Sequence, residues 1–199
     1  MRPMSLFIVM LAGLVALPAL AQNPPTIRIR GTVEKLDGDI VTVKAKDGQT
    51  QAVTVGDKAV QYLAKKSLAD IKAGDFLAST GIKGTDGKIH AIEVRIFPKA
   101  TADGGRQFPW DLSPDSVMTN ATVGTVTQTP NGPLVHVTFP GGESEYTIGP
   151  DVPILAGAEG DKSLLQPGKA VFVIARKGED GKLTSPRIYV EKDGVKPPM

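Results

Sequence analysis

Alternation of apolar and polar side chains is the dominant pattern along this chain. Val41, Val43 and Ala45 alternate with Thr42, Lys44 and Lys46, and Ile92, Val94 and Ile96 alternate with Glu93 and Arg95. Further on, Val135, Val137 and Phe139 repeat the first run, and Ile188 and Val190 flank Tyr189 as in the second. A period of two places one set on the core side of a strand and the other in water. Between the runs lie Asp37-Gly38, Asp47-Gly48, Asp86-Gly87, Asn131-Gly132 and Asp180-Gly181. Gly takes positive φ freely and Asp or Asn tolerates it, so these dipeptides suit tight hairpin turns. Together the runs and turns predict an all-β meander. One stretch departs from it. Lys65 to Ile71 (KKSLADI) offers Ser67 as an N-cap, with Leu68 and Ile71 three apart, and reads as a single helical turn stopped at Ala73-Gly74; Asp161 to Gly168 (DKSLLQPG) is its counterpart.

The pattern occurs twice. Gly31-Thr32-Val33 recurs as Gly124-Thr125-Val126 at an offset of 93, and Val41-Thr42-Val43 as Val135-His136-Val137 at 94. Thr54-Val55-Gly56 answers Thr147-Ile148-Gly149, Gly74 answers Gly168, and Asp86-Gly87-Lys88 answers Asp180-Gly181-Lys182. So constant an offset marks an internal repeat. Each copy reads strand, strand, strand, short helix, strand, strand. A lone sheet of this size leaves two edges and an apolar face open, and closing it into a barrel hides both. A helix between strands 3 and 4 is the connection of the OB-fold, a small Greek-key barrel. The expected fold is therefore all-β, with two tandem OB-like small β-barrels, each carrying one short helix between strands 3 and 4. A pair of packed sheets is the competing architecture. The expected domains are 22–97 and 118–192, with a linker over 98–117 and a disordered tail over 193–199.

The start of the chain has a different character. Arg2 supplies a positive n-region, Leu6 to Leu17 is an almost unbroken apolar run, Pro18 breaks it, and Ala19-Leu20-Ala21 gives the small residues a signal peptidase needs. Residues 1–21 thus read as a signal peptide cleaved near Ala21, and the expected location is the periplasm or outside the cell. The run is shorter than the ~20 apolar residues of a spanning helix, and no integral membrane segment is expected in the mature chain. The formal net charge of +2 falls to +1 without Arg2, the two signs being interspersed, which argues against a nucleic-acid partner. The chain has no cysteine, which removes disulfides and thiolate metal sites together.

The strings GTVEKLDGDIVTVKAKDGQ, SLADIKAGDF and DGKIHAIEVRIFP resemble a family of exported bacterial proteins with a duplicated OB-like domain of unknown function. FPWDLSPDSVMTNATV is similar to the segment that joins the two domains in its two-copy members. The resemblance covers nearly all of the mature chain. It implies two OB-like barrels and export to the periplasm, and it carries over no catalytic residue.

Candidate chemistry is sparse. The linker holds the single tryptophan, Trp110, and leaving so large a ring in water forgoes ~2 kcal/mol or more of burial. It should dock, either as a staple between the modules or, with Arg106 and the adjoining Asp111, as the lining of a ligand groove. His90 and Met118 are the residues a metal site would use, although the two copies preserve no His position. Neither a Gly-x-Ser-x-Gly elbow nor a phosphate-cradling Gly loop before a helix is present, so no enzyme activity and no cofactor are expected. Single-strand binding would need rings stacked along a basic groove. The outward ring candidates, Phe97, Tyr146 and Tyr189, are few, and Arg28, Arg30, Lys44, Lys46 and Arg95 read as a solvated basic face. The expected function is a non-catalytic periplasmic binding or interaction protein, with an unknown small ligand or envelope protein as its partner. A metal-handling accessory role and a structural role in envelope assembly are the alternatives.

Overall fold

Period-two runs become strands. The structure, a computed structural model, describes residues 26–130 and 132–197, so the expected signal peptide and its cleavage site lie outside the described residues. The strands are β1 (Thr26–Asp37), β2 (Ile40–Ala45), β3 (Thr50–Val55), β4 (Val60–Lys66), β5 (Phe76–Lys83), β6 (Ile89–Phe97), β7 (Arg106–Pro109), β8 (Ser116–Thr129), β9 (Gly132–Phe139), β10 (Gly142–Thr147), β11 (Ile154–Glu159), β12 (Ala170–Lys177) and β13 (Leu183–Val190). Among the described residues no helix is long and apolar enough to cross a membrane. The expected helical turns are 3-10 turns at Leu68–Asp70 and Lys162–Leu164. The Asp70 carboxylate accepts from the Ser67 N–H and hydroxyl, both at 2.8 Å, and Asp161 accepts from the Ser163 N–H at 2.8 Å. Each turn follows the fourth strand of its copy, not the third. The missed strands are β4 and β11. In β4 the buried residues Val60 and Leu63 stand three apart, so no alternation announces it.

The strands close two five-membered rings. In one, β1 pairs with β2, β2 with β3, β3 with β13, β13 with β12, and β12 with β1. In the other, β8 pairs with β9, β9 with β10, β10 with β6, β6 with β5, and β5 with β8. Neither ring is built from one copy of the repeat. The first takes β1–β3 from the first copy and β12–β13 from the second, and the other ring does the reverse. The expectation that each half, 22–97 and 118–192, closes on itself is therefore corrected: the halves exchange their last two strands. The cores follow the same rule. Ile29, Val41 and Val53 pack with Val171, Val173 and Ile188 in one barrel, and Leu77 and Val94 with Val123, Val135 and Val137 in the other. Burial of a Val or Ile side chain is worth about 1.5–3 kcal/mol. The apolar side chains of β12 and β13 thus represent stabilisation comparable with the ~5–15 kcal/mol net stability of a domain, and a half without its exchanged strands would lose it.

Between the barrels β4 and β11 pair antiparallel, β4 also pairing with β13 and β11 with β6. Leu63 lies opposite Gly157, its counterpart 94 positions on, which places a pseudo-twofold axis through this pair. The repeat register also needs one correction. Both long first strands carry a bulge, between Val33 and Lys35 in β1 and between Val123 and Thr125 in β8. Val33 therefore corresponds to Val123, 90 positions on, and not to Val126. The hairpin from β8 to β9 is longer than that from β1 to β2, and a three-residue Gly-Thr-Val match masked the difference.

The linker, expected to carry a docking segment, and the tail, expected to be disordered, both have defined structure. The linker turns back at Gly104-Gly105 to add β7 alongside β8. Gly105 has φ +93°, and a Cβ there would stand 2.0 Å from the Asn120 carbonyl oxygen, so only glycine permits this approach. At the other end, residues 193–197, expected within a disordered tail, form a turn in which Lys192 bridges to Val195 and Pro197 is buried.

Candidate functional site

Strand alternation that sends Ile29 and Val33 inward sends Arg28 and Arg30 outward. Across the ladder Arg30 stands beside Phe172 and Arg28 beside Ile174; one strand further, Phe172 stands beside Tyr189 and Ile174 beside Arg187. Two cross-strand rows thus cover the outside of the first barrel. The corresponding rows on the second barrel are Asn120, Ala78 and Arg95, and Met118, Thr80 and Glu93. Both sets of rows, apart from Arg30 and Glu93, line a groove of about 240 Å³ between the barrels. Its lining includes Arg28, Arg95, Arg187, Phe97, Tyr189 and Met118, with Phe108 from β7 and Trp110 from just beyond its end.

Trp110 is held at the rim by its backbone. Its N–H donates to the Ser116 carbonyl at 2.7 Å, and its own carbonyl accepts from the buried Ser116 hydroxyl at 3.0 Å. The ring meets Phe108 edge-on at 5.9 Å and packs against the interbarrel cluster of Leu63, Leu155, Phe172 and Tyr189. The Arg28 guanidinium lies 4.1 Å from the Trp110 centroid, close enough for cation–π attraction. Arg30 sits 4.9 Å from the Phe172 ring centre, and Arg95 lies 5.0 Å from that of Tyr189. Phe172 and Tyr189 are nearly parallel, at 7° and 6.4 Å.

The charges do not balance. Arg30 donates two parallel hydrogen bonds to Asp111, at 2.7 and 3.0 Å, and Arg28 stands 3.5 Å from the same carboxylate. These hydrogen bonds hold the Asp111 carboxyl below its usual range; desolvation by burial opposes them, and the Coulombic pull of Arg30 and then Arg28 adds to them. Arg95 donates to the buried Glu93. Arg187 reaches only the Tyr189 hydroxyl, at 3.4 Å, and has no carboxylate partner among the described residues. Four guanidiniums thus face two carboxylates around one apolar groove.

Of the residues singled out from sequence, Trp110 lies in the groove and Asp111 at its edge. Arg106 does not line it; exposed at the start of β7, it shares the strand face of Phe108, its guanidinium 5.0 Å from that ring centre. His90 and Met118 are not brought together. Met118 lines the groove, whereas His90 lines a separate cleft, with Nε2 3.1 Å from an Asp86 oxygen and Nδ1 3.0 Å from the Thr147 hydroxyl. Among the described residues no cluster of three or more His, Asp or Glu side chains could hold a metal ion. Tyr146, read as an outward ring, is 1% exposed inside the second barrel, where burial pushes its phenol pKa up. Sequence reasoning overlooked Phe108, Phe172 and Arg187, and it took Arg28, Arg30 and Arg95 for solvated surface. The spacing of Arg28 and Arg30 around an apolar residue was the available signal.

A larger cleft, of about 640 Å³, runs past Lys83, Lys88, Gln107, His136 and Glu143, but it carries both signs of charge and no Phe, Tyr or Trp. Comparison with protein-family models, with curated proteins and with solved structures returned no match.

Proposed function

We propose that the protein is a non-catalytic binding protein of the periplasm, built from two OB-like barrels, and that its ligand seats in the interbarrel groove. The observation that carries this reading is the gathering of arginines and aromatic rings on facing walls of one concavity. Few polar anchors on apolar walls is the usual composition of a ligand site. The strand order supports the OB-like assignment: numbered around each ring, the strands run 1-2-3-5-4, and a 3-10 turn precedes the fourth. The lining favours binding over turnover, since guanidinium groups stay protonated throughout the physiological range and cannot act as proton shuttles there.

Native mass spectrometry of the protein purified from its own periplasm tests the proposal. The expected result is a retained small molecule that Trp110→Ala releases. A spectrum with only the bare polypeptide mass, from protein never exposed to denaturant, would count against it.

A further inference from the structure

The groove is asymmetric although the backbone around it is nearly twofold. Where one wall has Phe172, Ile174 and Tyr189, the other has Ala78, Thr80 and Arg95 at the matching positions. Small residues on one side leave room in front of the rings on the other. The volume, about 240 Å³, lies below the roughly 300–1,000 Å³ of pockets for drug-sized ligands, which selects a one- or two-ring body over a long chain.

Charge selects the other end of the ligand. Arg95 is neutralised by Glu93, and Arg28 shares Asp111 with Arg30. Arg187 is the lining cation with no counter-ion among the described residues, and it stands beside Ile174, next to the ring of Tyr189. An arginine fork matches a planar carboxylate with two parallel N–H···O bonds. From these placements we infer that the groove takes a small aromatic carboxylate, its ring against the Trp110 and Tyr189 side and its anionic end on Arg187. The inference rests on the groove being the ligand site.

Calorimetric titration of the intact protein tests it with four compounds: 1-naphthoate, its uncharged counterpart 1-naphthamide, acetate, which has the anion without the ring, and polyglutamate, an acidic chain in place of a small ligand. Naphthoate should bind at least about tenfold more tightly than any of the others, the scale of one charge-assisted hydrogen bond. Arg187→Gln should abolish the preference for naphthoate over naphthamide and leave the melting temperature unchanged. Quenching of Trp110, the only tryptophan, reports occupancy of this groove and no other. Equal affinity for naphthoate and naphthamide would overturn the carboxylate assignment while leaving the groove a binding site. Binding of polyglutamate but not of naphthoate would overturn the small-ligand assignment in the same way. If no compound binds and the protein purified from the periplasm carries nothing, the inference and the reading beneath it fail together.

Discussion

The interiors of the two barrels are near copies, whereas their facing exteriors have diverged. Inside, Val33 matches Val123, Val43 matches Val137, and Val94 matches Ile188, and all are buried. Outside, Phe172 matches Ala78, Arg28 matches Met118, and Arg187 matches Glu93. The same ladder register holds both sets. Interior positions answer to close packing, where a change of one methylene is felt, so duplication leaves them alike. The exterior rows answer to whatever enters the groove, and there one wall became bulky and aromatic while the other became small or polar. Site and scaffold thus separate by face of the same strands.

Making the walls alike should have the largest effect. Phe172 is 3% exposed and stacked on Tyr189, so Phe172→Ala, which copies Ala78, should cost about 3–5 kcal/mol in chemical denaturation. A loss below ~1 kcal/mol would mean that the bulky wall is dispensable to the fold. The shared interiors carry a second test. A protease site placed after Lys99, in the exposed part of the linker, should yield two fragments that co-elute under native conditions and separate only in denaturant, because each ring needs strands from both. Two native peaks would mean that the copies close separately.

How much of this was legible in the sequence divides along the same line. Period-two runs such as Val41-Thr42-Val43 and Ile188-Tyr189-Val190 gave strands and inward faces correctly, because alternation encodes which side of a strand is apolar. Alternation does not encode the partner. The inward sides of β5–β6 and β12–β13 are both apolar enough for either barrel, so the exchange left no local trace. β4 was invisible because it pairs on both edges between the barrels, and its burial follows packing on each side instead of a two-residue period. For the groove, Trp110 was legible as a ring needing a dock. Arg28, Arg30 and Arg95 were visible but ambiguous, since an outward arginine looks the same over water as over an aromatic face.

Trp110 sharpens the comparison at intermediate size, because it belongs to the groove and to the junction together. Half-buried against the Phe172 and Tyr189 wall, it should cost roughly 2 kcal/mol on truncation to alanine. For a protein of this length that lowers the melting temperature by roughly 4–8 °C. An unchanged melting temperature would remove the staple and leave Trp110 to the ligand alone. Its neighbour Asp111 adds a pH dependence. Its carboxyl titrates lower in the folded protein than in the unfolded chain, so its contribution is complete above about pH 4, the ordinary carboxylate range, and is lost as pH falls through the folded value. Asp111→Asn should flatten the acid limb of a melting-temperature profile slightly, the pair being partly exposed to solvent.

The smallest effect concerns a place where the interiors do differ. In the second barrel Tyr146 and Ser79 occupy positions that Val53 and Val173 fill in the first, and among the described residues each buried hydroxyl has only the other within reach, with no hydrogen bond of ordinary geometry between them. A buried hydroxyl with no partner costs about 1–3 kcal/mol of desolvation that nothing offsets. Tyr146→Phe removes the hydroxyl and keeps the ring, so stability should hold or rise by up to about 1 kcal/mol, the small void left behind taking back part of the gain. The change should be the same at pH 6 and pH 9, since burial keeps the phenol protonated across that range. A loss of more than ~1 kcal/mol in urea titration would mean that the two hydroxyls bond each other. The second barrel would then hold a polar pair specific to it, and the interiors would no longer count as copies.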